Sequence, residues 1–148
     1  MFSKILVGTD GSEAAVRALE AATDLASQCG ASLTIINVPR ADTIAFATGA
    51  MAGYHMVTTL PSDEQVRAAA EKTLTAAAEV VTARGGTVAA REIRRGEPAD
   101  EIVAYAQKEG VDCIVTGRRG LGNLMGLVLG STSQRIAHIA PCAVLSVP

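Results

Sequence analysis

The chain has 148 residues, of which 49% are hydrophobic and 19% charged, with 13 Lys and Arg set against 15 Asp and Glu for a formal charge of −2. That length and balance point to one globular domain, 1–148, large enough to bury a core. They exclude a disordered chain and give no ground for bulk electrostatic binding to nucleic acid or a membrane surface. Aromatic residues are 3% and Trp is absent, so the core has to be built from Val, Ile, Leu and Ala.

Short apolar runs alternate with longer helical patterns. Residues 4–8, KILVG, run into a Gly-Asp-Gly type turn and read as a strand. In the segment after it, Val16, Leu19, Ala22, Leu25 and Ala26 recur at three- and four-residue steps, with Ser12 as N-cap and Gly30 as stop. Residues 31–38, ASLTIINV, are rich in β-branched side chains and end at Pro39, a second strand. Residues 39–61 follow neither period and read as a long connection. A strong helical pattern then starts at the capping box of Ser62 and Gln65 and stops at Gly85. Residues 87–95 form a third strand, 97–110 a helix with Pro98 in its first turn, and 112–117 a fourth strand. A short helix, STSQRIAHIA, and a last strand, 142–147, complete the chain. Strands separated by helices make a parallel, doubly wound α/β sheet with helices on both faces.

Cys29, Cys113 and Cys142 are widely spaced and form no CxxC pair, and His55 and His138 stand apart, so reduced, mostly buried thiols are expected rather than disulfides or a zinc site. No window nears the roughly 20 unbroken apolar residues of a membrane span, and the first residues lack the long apolar run of a secretory signal. A cytoplasmic location is the expectation.

In open parallel sheets, ligands sit beyond the carboxyl ends of the strands, where the strand order reverses. The loop after the fourth strand, GRRGLGNLMGLVLGST (117–132), is glycine-rich and feeds a helix. Amides at a helix N-terminus lack partners and carry partial positive charge, so Gly130, Ser131 and Thr132 make a candidate anion cradle. Gly117 and Gly120 suit a tight turn, and Arg118 or Arg119 would offset a polyphosphate's charge. No Lys precedes Ser131 as a Walker loop requires. After the first strand, Asp10 occupies the place where a dinucleotide's pyrophosphate would lie, so Asp10 is better matched to ribose hydroxyls. There is no G-x-S-x-G elbow, and Arg94 and Arg95 end the third strand where a receiver domain would need an acid. Ser131, Ser133 and His138 share one short helix without the geometry of a triad, and a capping role suits the serines.

KILVGTDGSEAA, GEPADEIVAYAQKEGVDCIVTGRRGLG and LGSTSQRIAHIAPCAVLSVP resemble the universal stress protein family along nearly the whole chain. Gly117, Gly120, Gly130 and Ser131 stand in the Gly-x-x-Gly, nine residues, Gly-Ser/Thr spacing of that family's ATP-binding branch. The resemblance implies strand order 3-2-1-4-5, a homodimer joined through the final strand, and ATP as ligand with a divalent cation, Mg or Mn, held through its phosphates. It implies that Asp10 meets the nucleoside, that the backbone of Val38 holds adenine, and that Gly117 meets the ribose. Gly120, Gly130, Ser131 and Thr132 would cradle phosphates, with Thr9, Thr116 and Arg119 lining the site. The function implied is a nucleotide-responsive sensor or switch in stress response rather than an efficient hydrolase, since no base or Walker-B acid is recognisable. The alternatives are a dimeric scaffold that binds no nucleotide, a slow ATPase, and a protein that takes AMP or cyclic AMP.

Overall fold

The computed structural model describes residues 1–40, 60–120 and 130–148. Five strands, β1 (Lys4–Gly8), β2 (Ser32–Asn37), β3 (Ala90–Ile93), β4 (Cys113–Gly117) and β5 (Ala143–Val147), alternate with four helices, α1 (Glu13–Cys29), α2 (Asp63–Ala83), α3 (Pro98–Glu109) and α4 (Ser131–Ile139). Every strand pairing is parallel, and the order is β3-β2-β1-β4-β5, the order that the family resemblance implies. β1 sits at the centre, with Ile5 opposite Leu33 of β2 on one side and Cys113 of β4 on the other.

Alternation along the strands splits the core in two. Ile5, Val7, Leu33, Ile35, Cys113 and Val115 pack against α1 and α2. Leu6, Ile36, Val38 and Ile114 point to the opposite face and pack against α3 and against Ile136 of α4. Both faces are covered, which is why the central strands read as unbroken apolar runs rather than alternating ones.

The structure corrects several details. The face that α1 buries is Ala14, Ala15, Ala18, Leu19, Ala22, Thr23 and Ala26; Val16 turns outward. Small side chains let this helix lie close on the sheet, so close that a Cβ on Gly117 would stand 2.7 Å from the backbone carbon of Ala14. β3 covers 90–93 rather than 87–95. Ala89 and Arg94 each donate one amide to β2, to Leu33 and Asn37. Beyond them the chain leaves the ladder, as Arg95 pairs with Asp63 at 2.7 Å and Gly96 adopts φ 134. β2, β4 and β5 each begin one residue later than expected, and β2 also ends one earlier. Asp112 stays outside β4 because its carboxylate accepts the amides of Ser3 and Lys4. Among the thiols, only Cys113 is buried, and desolvation pushes its pKa up to about 11; Cys29 and Cys142 are partly exposed. His55 and most of the long connection lie outside the described residues.

Candidate functional site

The connections leaving β1 and β4 go to opposite faces of the sheet, and a cleft of about 520 Å³ opens between them. That volume suits a small-molecule ligand. Thr9, Asp10, Val38, Thr116, Gly117, Arg119, Gly120, Gly130, Ser131 and Thr132 all line it; Arg118, the alternative to Arg119 as a charge partner, does not.

The β1 side is a tight turn. Asp10 Oδ1 accepts the Ser12 amide at 2.9 Å, and Gly11 takes φ 82, a left-handed conformation that favours glycine. Ser12 then caps α1, its Oγ accepting the Ala15 amide at 3.2 Å. Thr9 is fixed from two directions: its amide donates to Ile36 at 3.0 Å, and its carbonyl accepts the Asn37 side-chain amide at 2.7 Å.

The β4 side is held by backbone. Arg118 donates its amide to Val147, and its carbonyl accepts both the Gly130 amide at 2.6 Å and the Ser133 hydroxyl at 2.9 Å. The two ends of the 121–129 segment are thereby clipped together; the segment itself, on which the expected polyphosphate wrap falls, lies outside the described residues. A side chain would crowd this side at two points, more at Gly120 than at Gly130. A Cβ on Gly120 would stand 2.6 Å from Asp10 Oδ2, and one on Gly130 would stand 3.3 Å from the Arg118 carbonyl. Gly117 carries the same constraint against α1, a packing role independent of any ligand.

The helix ends differ in what satisfies them. α1 and α2 have side-chain caps, the latter a full capping box. α3 has Pro at its start and two acids, Asp100 and Glu101, in its first turn. α4 has neither: its N-cap is Gly130, no side chain caps it, and its first turn holds no acid. Ser131 is the first helical residue, and the Ser133 hydroxyl donates to the Gly130 carbonyl at 3.0 Å. The capping role expected of these serines is therefore not the one found. Helix geometry leaves the amides of Ser131, Thr132 and Ser133 without intrahelical acceptors, and this turn lines the cleft.

Several lining residues went unnoticed in the sequence. Asn37, at the end of β2, is 6% exposed. Its side-chain amide is engaged by Thr9, while its Oδ1 has no hydrogen-bond partner among the described residues. The buried Thr116 Oγ1 is in the same condition. Lys72 and Thr73 reach the cleft from α2, where they share a helical face with Ala69 and Ala76, a spacing that names the face but not what it meets. Of the cations around the cleft, Arg40 pairs with Glu97 at 3.3 Å, whereas Lys72 and Arg119 make no ion pair among the described residues. Asp10 is the only acid among the described lining residues, and no histidine is among them.

A profile of the Universal stress protein family matches residues 1–148. The universal stress protein YxiE of Bacillus subtilis is 37% identical over 99% of both chains. Among solved structures, a universal stress protein in complex with cAMP superposes with TM-score 0.71 at 26% identity, covering 99% of this chain and 96% of that one. The hypothetical protein MJ0577 superposes with TM-score 0.77, also at 26% identity and the same coverage.

Proposed function

The chain belongs to the universal stress protein family, and on that premise we propose that it is an ATP-binding member acting as a nucleotide-responsive sensor or switch in stress response. The observation that carries this reading is the open first turn of α4. It is uncapped, free of acid, and faces a cleft lined by Gly120, where a Cβ would collide with Asp10, and by Gly130, where one would crowd the Arg118 carbonyl. Such a turn matches an anion, and the glycines let the anion approach the amides. Asp10, across from Gly120, would accept ribose hydroxyls, and Val38, 9% exposed at the end of β2, would border the base. A divalent cation, Mg or Mn, would be held mainly through phosphate oxygens, since Asp10 is the only lining carboxylate among the described residues. The same shortage of acids and bases favours binding over turnover.

β5 is a sheet edge with Leu145 39% exposed, which supports a homodimer paired through that strand. No helix among the described residues is long and apolar enough to cross a membrane, in keeping with work in the cytoplasm. The structural neighbour solved with cAMP favours a second reading, in which the ligand is the cyclic monophosphate.

A melting scan with ATP, ADP, AMP and cAMP separates these. A ligand at 100 times its Kd stabilises by about 2.7 kcal/mol. The largest shift is expected with ATP. A larger shift with cAMP replaces the ligand, and no shift with any of the four removes the nucleotide reading in favour of a scaffold.

A further inference from the structure

Along β2, Leu33 and Ile35 point to the face of the sheet that α1 and α2 cover, and Asn37 holds the next position on that face. An apolar side chain would continue the pattern. The chain instead buries a carboxamide there, at the border of the cleft. Its Nδ2 donates to the Thr9 carbonyl at 2.7 Å, and because a carbonyl only accepts, that contact fixes which way the carboxamide is turned. Its Oδ1 is left without a hydrogen-bond partner among the described residues, a desolvation cost that a leucine would not incur. Asn37 therefore suits its contact with Thr9 better than it suits the core.

We propose that Asn37 is a positioning residue of the nucleotide site, holding the Thr9–Asp10 peptide so that the Asp10 carboxylate is presented to the ribose hydroxyls. The inference rests on the nucleotide reading above. The Thr9 carbonyl belongs to the same rigid peptide plane as the Asp10 amide, so a bond to that oxygen sets the direction in which Asp10 leaves β1. The end of β2 also takes the other side of Thr9, whose amide donates to Ile36 at 3.0 Å. Beyond the peptide, Asp10 Oδ1 accepts the Ser12 amide at 2.9 Å. On the β4 side, Asp10 Oδ2 lies 2.6 Å from where a Cβ on Gly120 would stand, so the carboxylate has little room to shift. A hydrogen bond to a hydroxyl depends on direction as well as charge. Releasing the peptide behind Asp10 should therefore weaken the ribose contact and leave the phosphates at the α4 turn untouched.

The test is calorimetric titration of the full chain, Asn37→Leu, Asp10→Ala and the double variant with ATP and 2′,3′-dideoxy-ATP, which differ only in the ribose hydroxyls. The wild-type chain is expected to favour ATP about tenfold, and Asn37→Leu to reduce that preference to about twofold by weakening ATP alone. In Asp10→Ala the preference should already be lost, and adding Asn37→Leu should change it no further. Asn37→Leu should melt close to the wild type, since it removes one unsatisfied oxygen and leaves another, that of Thr9; Asn37→Val carries the same test if the leucine does not fold. Equal weakening of both nucleotides, an unchanged preference, or a wild-type chain that binds both equally overturns the role of Asn37 and leaves the nucleotide site standing. A wild-type chain that binds neither overturns the nucleotide reading, and this inference with it.

Discussion

The N-termini of α1 and α4 both point at the same cleft, and the chain treats them in opposite ways. At α1, Asp10 and Ser12 supply two acceptors, one for the Ser12 amide and one for the Ala15 amide. At α4, the N-cap is Gly130, no side chain caps the helix, and the first turn carries no acid. A helix start closed by its own side chains has little left to offer an anion; one left open does. The sheet topology brings the two together, since β1 and β4 are neighbours and their helices lie on opposite faces. One end therefore presents oxygen acceptors and the other presents amide donors, which on the proposed reading would meet hydroxyls and phosphate respectively.

The direct way to break this contrast is to make α4 resemble α1. Gly130 has φ −68 and ψ 155, a conformation open to any residue, and its Cβ would press on the Arg118 carbonyl at 3.3 Å, tight but not prohibitive. Gly130→Asp should place a carboxylate over the amides of the first turn. ATP affinity is expected to fall roughly a hundredfold, while stability changes little because the new cap offsets the local crowding. Titration beside a melting curve reads both. An unchanged affinity would mean that the phosphates lie elsewhere.

Gly117 sharpens the comparison by separating packing from binding. Its motif position suggests a ligand contact, yet the nearest obstacle to a side chain is the backbone of Ala14. Gly117→Ala should therefore cost about 2 kcal/mol in urea unfolding, with or without nucleotide, because α1 cannot move off the sheet without opening the core. A stable variant with weakened binding would reverse that assignment.

These residues also show where the sequence could be read and where it could not. The strand-helix alternation and the caps at Ser12 and Ser62 are accessible because each depends on local chemistry, and the grouping of ten residues around one cleft follows from the glycine motif and the family resemblance. Strand order came from the family resemblance, since a pattern of elements does not order them. Val16 was misplaced because an alanine-rich face is almost invisible to a hydrophobic count: the buried stripe of α1 is mostly methyl groups. β3 was read too long because Arg94 and Arg95 continue an alternation that the Arg95–Asp63 pair and Gly96 interrupt in space. Lys72 and Asn37 were missed for a related reason. Neither lies in a motif, and only the packing of α2 and the end of β2 around the cleft brings them to it.

The smallest expected effect concerns the closed end. Ser12→Ala removes the acceptor for the Ala15 amide and should lower stability by about 1 kcal/mol, the usual cost of a lost N-cap. Its effect on ATP binding should stay within about twofold, because Asp10 still holds the Ser12 amide and still presents negative charge in front of α1. Chemical denaturation gives the first number and titration the second. If the variant instead binds ATP several-fold more tightly, the amides freed at α1 have begun to attract phosphate. The difference between the two helix ends would then reside in the serine cap alone and owe nothing to Asp10. If binding collapses together with stability, the Ser12 hydroxyl, 3.5 Å from the Arg119 carbonyl, is holding the loop after β4 in place as well as capping its own helix.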